Sequence, residues 1–212
     1  MITFTRSLLL ATSALLLKVI SILVPLFSTP WGIGSIFAPI IGFFTSTLSC
    51  IGLYAIRTVF VLALYGDLAI GVTYLPTLAG SLALATQSRT FKVAIPALCI
   101  GLFVIHPIGH QSVLYTTYWL VPMIIGLMMK PGIFLRSLAS TMTTHAVGSV
   151  IFLYSHSTTS IFWHALIARV WYERLVYALL LTLSYFLIST IIRLIVTMRA
   201  ESKVCQSPLP SL

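Results

Sequence analysis

Apolar residues fill the chain in long blocks, separated by short clusters of Ser, Thr, Pro, Gly and charged positions. The blocks run Ser7–Phe27, Gly34–Tyr65, Leu68–Thr86, Phe91–His106, Val113–Met129, Ile133–Tyr154 and Arg174–Val196. A helix crosses the hydrocarbon core of a bilayer with about 20 predominantly apolar residues, so most blocks have the length of a membrane span. Ser7–Phe27 fits a retained first helix better than the shorter apolar core of a signal peptide. Gly34–Tyr65 is too long for one crossing and holds Pro39, Gly42 and a Thr/Ser cluster over residues 45–49. It predicts either one long tilted helix or a re-entrant hairpin followed by a span. Pro76 breaks the Leu68–Thr86 block. Ser155–Trp171 has a different pattern: polar through His156–Ser160, then a short aromatic amphipathic stretch at Ile161–Ile167. That stretch is too short to span, which predicts an interfacial helix or a lid.

Charge sets the topology. Arg6, the pair Arg89 and Lys92, the pair Lys130 and Arg136, and the group Arg193, Arg199 and Lys203 lie between or beyond apolar blocks. Placing these clusters in the cytoplasm leaves Ser28–Ile33, the Asp67 turn, Pro107–Ser112 and Ser155–Trp171 outside, almost free of Lys and Arg. Both termini are then cytoplasmic, with an even number of crossings between six and eight. Gly34–Tyr65 must begin and end on the outer side for this parity to hold. The expected fold is an all-α, polytopic membrane helix bundle of the cell membrane. It forms one domain over residues 1–199, followed by a disordered cytoplasmic tail at 200–212.

Composition supports the membrane assignment. The 212 residues are 59% hydrophobic and 7% charged, against about a quarter charged in soluble domains. The net charge of +9 comes from scattered Lys and Arg and only three acids, Asp67, Glu173 and Glu201. No basic cluster interleaved with aromatics indicates nucleic acid, so membrane lipid is the expected partner of the positive charge. Cys50, Cys99 and Cys205 have no metal-ligand spacing, and neither a metal nor a cofactor is expected.

The richest chemistry lies in Ile133–Tyr154. On a helix, Thr141, Thr144, His145, Gly148 and Ser149 share one polar, small-residue stripe. Two readings stand: hydroxylated and small residues pack membrane helices together, or the stripe lines a ligand site in which His145 both donates and accepts. Tyr115, Tyr118 and Trp119 suit either an aromatic wall for a ligand or anchoring at the membrane interface, the default also for Trp31, Trp163 and Trp171. Arg57 lies within an apolar block and needs an anion. Glu173 is its candidate partner, against a local pairing of Glu173 with Arg169 or Arg174. His106, His110, His156 and His164 form no compact ligand set. No paired-carboxylate motif, nucleophile elbow or phosphate loop is present, and no enzyme activity is expected.

In layout the chain resembles the substrate-capture (S) components of energy-coupling-factor (ECF-type) vitamin transporters. The resemblance rests on size, on the small-residue patch Ser7, Ala11 and Ala14, on Gly34–Gly42 around Phe37-Ala38-Pro39, on Tyr74–Thr77 and on Glu173–Ala178. The alanines depart from the family's Ala-x-x-x-Ala spacing, and Lys18 follows them. The resemblance implies that a vitamin or precursor binds near the outer face. Ser7, Ala11 and Ala14 would contact a transmembrane coupling subunit, and two ATPases would drive release. Two other classes remain open: an autonomous small-solute transporter or channel, and a structural or assembly protein of the membrane.

Overall fold

The structure is a computed structural model that describes residues 38–66, 72 and 74–204. Every element among these residues is helical. A 3-10 turn at Ala38–Ile40 leads into α1 (Ile41–Phe44) and α2 (Thr47–Tyr65), followed by α3 (Leu75–Ala85), α4 (Arg89–Ile105) and α5 (Pro107–Gln111). A 3-10 helix at Val113–Trp119 then runs into α6 (Leu120–Leu127), and α7 (Ile133–Ser155) and α8 (Ser160–Val204) complete the chain.

Local chemistry explains the boundaries. Thr45 and Ser46 break Gly34–Tyr65, and the Ser46 hydroxyl accepts from the Ser49 N–H to start α2. Gly66, at φ +64°, ends α2 in the left-handed region that favours glycine. Ser88 caps α4, and His106 caps α5 by accepting from the Ile108 N–H through Nδ1.

Several expectations change. Pro76 lies in the first turn of α3, where its missing N–H costs nothing, and most of residues 68–72 lie outside the described residues. Val113–Met129 is not one α-helix. The Thr116 and Thr117 hydroxyls donate three residues back, to the Val113 and Leu114 carbonyls, and the segment winds as a tight 3-10 helix before α6. The expected interfacial helix at Ile161–Ile167 is the beginning of α8, which continues unbroken for 45 residues. α8 carries through Val204, and the rest of the expected tail lies outside the described residues. Within Gly34–Tyr65 the described part is α1, a break and α2; the entry limb of the expected hairpin lies outside the described residues, as do Ser7–Phe27 and Asp67.

Neighbouring helices alternate in direction. Cys50 of α2 packs by Leu82 of α3 and Arg57 lies over the Tyr74 ring, so α2 and α3 are antiparallel. The Ser140 hydroxyl of α7 donates to the Gly80 carbonyl of α3 at 2.8 Å, and Arg136 donates to the Leu84 carbonyl at 3.1 Å. These contacts set α7 antiparallel to α3. Thr182 of α8 donates to Ser137 of α7 at 3.0 Å, while Trp163 packs near Val150 and Leu153 at the other end of α7. α7 is therefore the central helix, touching α3, α4, α6 and α8.

Glycine lets α7 come this close. A Cβ on Gly80 would overlap Thr144 Oγ1 and lie 3.1 Å from the Ser140 carbonyl oxygen. This is the small-residue helix crossing expected where lipid tails replace water and close packing must hold helices together. Ser160–Met198 of α8 is long and apolar enough to cross a membrane, and most of its surface faces outward. At 45 residues α8 is about 67 Å long, more than twice the hydrocarbon core.

Candidate functional site

The polar stripe of α7 divides between two neighbours. Thr141 donates to the Leu138 carbonyl, and Thr144 donates to the Ser140 carbonyl where α7 crosses Gly80. Thr141 and Thr144 thus spend their donors within α7, and Thr144 also serves the helix crossing. One turn further on, His145 and Ser149 leave that crossing and join side chains from the 3-10 helix and α8.

His145 Nδ1 lies 2.9 Å from the Tyr118 hydroxyl and 3.1 Å from Ser149 Oγ. The Ser149 hydroxyl is in turn 3.3 Å from the Tyr115 hydroxyl. Four polar side chains thus form one chain of hydrogen bonds, Tyr118–His145–Ser149–Tyr115, inside the bundle. The 3-10 geometry brings this about. Tyr115 and Tyr118, three residues apart, eclipse each other on a three-residue turn, so both rings meet α7. Their rings stand 5.2 Å apart and nearly perpendicular.

An aromatic cage closes around the network. Phe103 of α4 sits edge-on to Trp119 at 5.3 Å and to Trp163 at 5.1 Å, and Tyr115 lies 4.8 Å from Trp163. Each such pair contributes about 0.5–1.5 kcal/mol beyond its buried area. Trp119 and Trp163 are 0% and 1% exposed, so neither is the interfacial anchor their type suggested. Trp163 Nε1 donates to Thr158, whereas the buried Trp119 Nε1 has no acceptor.

α8 adds the charge. Val170, Arg174, Ala178 and Leu181 follow one face at helical spacing, and all four are buried. Val170 belongs to the aromatic cluster and Ala178 packs by Met142, which places Arg174 between these levels of α7. It is close enough to Tyr115, Tyr118 and His145 for its charge to act on each of them. Arg174 is 7% exposed and stacks over the Tyr177 ring at 4.5 Å. Its buried Nε has no hydrogen-bond partner.

Glu173 bonds locally. Its Oε1 accepts from Arg169 Nε at 2.6 Å, and its Oε2 lies 3.5 Å from Arg174 Nη2. The expected pairing of Arg57 with Glu173 is not formed. Arg57 lies 4.0 Å above the Tyr74 ring on the α2–α3 side, in cation–π contact. The structure therefore brings together Tyr115, Trp119, His145, Ser149 and Glu173, and leaves Arg57, Thr141 and Thr144 elsewhere. Ser7, Ala11 and Ala14 lie outside the described residues.

Sequence reasoning missed Arg174, which reads there only as the start of the last span and a neighbour for Glu173. The i, i+4 spacing of Val170, Arg174 and Ala178 was the available signal, once the helix is taken to begin at Ser160 rather than at residue 174. A separate groove between α2 and α3 is lined by Ile51, Tyr54, Ala55, Thr58, Tyr74 and Leu78. Its Tyr54 and Thr58 hydroxyls are already bonded, to Ser81 and the Tyr54 carbonyl, so it offers mainly apolar surface.

Compared with protein-family models, with curated proteins and with solved structures, the chain matches no family model, no curated protein and no solved structure.

Proposed function

We propose that this chain is a multi-pass membrane protein that binds a small polar solute at the His145–Arg174 centre, as the solute-binding component of an uptake system. The observation that carries the reading is a charged, aromatic-walled hydrogen-bond network in the middle of an apolar bundle, with two buried donors left without acceptors. Ionisable groups at membrane depth are costly and mark ligand or ion sites far more often than passive packing. A buried donor without a partner costs about 1–3 kcal/mol, which a bound solute supplying an acceptor recovers.

The multi-pass reading is supported by direction and charge. α2, α3, α4, the 3-10/α6 segment, α7 and α8 run in alternating directions, as successive passes through a membrane would. Lys92 lies against Gly126 and near Arg136, and Arg136 reaches the last turn of α3, so Arg89, Lys92, Lys130 and Arg136 collect at one end. Pro107–Gln111 and the loop before Ser160 occupy the opposite end with no Lys or Arg. This division fits the positive-inside pattern and supports a cytoplasmic Arg136 end.

The sequence has no nucleotide-binding motif, so the proposal assigns energy coupling to separate membrane and ATPase subunits, as in the ECF-type layout that the chain resembles. Thermal unfolding of the purified protein in nanodiscs, across a panel of vitamins and their precursors, tests the reading. Concentration-dependent stabilisation by at least one compound is expected. No stabilisation, together with stoichiometric co-purification with membrane subunits that lack ATPases, would instead identify an assembly protein.

A further inference from the structure

We infer that the solute bound at this centre is a small organic anion, its acidic group received by Arg174. The inference rests on the solute-binding reading above and adds the ligand's chemical class. Three observations carry it.

The first is charge balance. Arg169, Glu173 and Arg174 together carry two positive charges and one negative, and no other acid among the described side chains approaches them. The hydrogen bond of Glu173 goes to Arg169, at 2.6 Å. Arg174 has only the looser 3.5 Å approach of the other carboxylate oxygen. One positive charge is thus left without full compensation in an apolar setting, and a guanidinium cannot shed its proton to relieve it.

The second is geometry. One face of the guanidinium lies on Tyr177, while its Nε–H is buried and unpartnered. A planar acid group is the ligand that such an edge receives, through parallel N–H···O bonds. The third is the surrounding chemistry. Trp119 Nε1 is a second buried donor without an acceptor, and Trp donates only, so the unmet demand of the site is for acceptors. The Tyr and Ser hydroxyls and His145 can serve the rest of the ligand in either sense. A cationic solute would add to the uncompensated charge.

A pair of thiol reagents of equal size and opposite charge tests this before the solute itself is identified. Ser149→Cys places a thiol on the network, and labelling at that position is followed by mass spectrometry with 2-sulfonatoethyl and 2-trimethylammonioethyl methanethiosulfonate. The sulfonate reagent is expected to react about tenfold or more faster than the cationic one. Arg174→Gln should abolish the preference, and Arg174→Lys should keep much of it. Val147→Cys, half-buried against the same cluster, is a second reporter should Ser149→Cys not fold. Labelling without charge preference overturns the anion inference and leaves solute access intact. No labelling by either reagent, with full labelling after denaturation, overturns the solute-binding reading and this inference with it.

Discussion

Gly80→Ala offers a test of how α3 and α7 are held together. The added Cβ would overlap Thr144 Oγ1 and press on the Ser140 carbonyl oxygen and hydroxyl at 3.1 and 3.2 Å. Overpacking of this kind costs about 1–3 kcal/mol. Separation of the helices also weakens the 2.8 Å bond from Ser140 to the Gly80 carbonyl, worth about 0.6 kcal/mol between membrane helices. Replacing Gly by Ala inside a helix returns about 1 kcal/mol through propensity. The net expectation is a loss of about 1–2 kcal/mol, taking the middle of these ranges. Thr144→Ala alone loses only an intrahelical bond to the Ser140 carbonyl and should be nearly neutral. In the double variant the nearest obstruction is gone, so most of the loss should be recovered, giving a coupling of about 1 kcal/mol. Gly42→Ala is the contrast. Its Cβ would meet the Ser81 carbonyl, a backbone atom, and Thr144→Ala should not rescue it. Reversible unfolding by SDS titration in mixed micelles measures each of these variants against wild type. A Gly80→Ala variant more stable than wild type, or an additive cycle with Thr144→Ala, would refute close packing at this crossing.

Other expectations follow from the site and the topology. Glu173→Gln removes the only anion beside Arg174 among the described residues and should destabilise the bundle by about 2–3 kcal/mol, below a fully buried pair because the ions stand apart. Arg169→Ala, at an exposed side chain, should lose much less in the same unfolding assay. Equal losses for the two would contradict a buried Arg174. Tyr118→Phe deletes one of the two partners of His145 Nδ1 and should cost about 1 kcal/mol, or about 2–4 °C in Tm by scanning calorimetry. Single cysteines at Ser157 and Lys130 should label from opposite sides of intact cells, Ser157 without permeabilisation and Lys130 only after it. Labelling of both from one side would contradict a crossing by α7, and exchanged sides would reverse its direction.

Much of this organisation was legible along the chain. The apolar blocks ending near Tyr65, Thr86, Ile105 and Ser155 correspond to helices, because hydrophobic length and capping Ser or His residues are local signals. That His145 and Ser149 share one face of α7 was legible too, from helical spacing, whereas their bonds to Tyr118 and Tyr115 were not. What was not legible depends on neighbours. Whether Thr144 faces a ligand or a helix is decided by Gly80, on a different helix. Trp119 and Trp163 read as interfacial because amphipathic aromatics favour that level, yet they pack on Phe103 from another helix. The 3-10 winding at Val113–Trp119 comes from hydroxyls bonding three residues back, which apolar periodicity does not register. Arg57 points to Glu173 because a guanidinium needs a partner, and among the described residues it meets the Tyr74 ring.

Equilibrium binding of a compound that stabilises the protein, measured on wild type, His145→Ala and His110→Ala in nanodiscs, tests the solute-binding centre most directly. One saturable site per chain is expected for wild type, lost or weakened at least about tenfold in His145→Ala through the loss of a buried hydrogen-bonding group. It should be unchanged in His110→Ala, whose side chain is exposed at the far end of α5. Equal affinity in all three proteins would place the solute elsewhere and contradict the assignment.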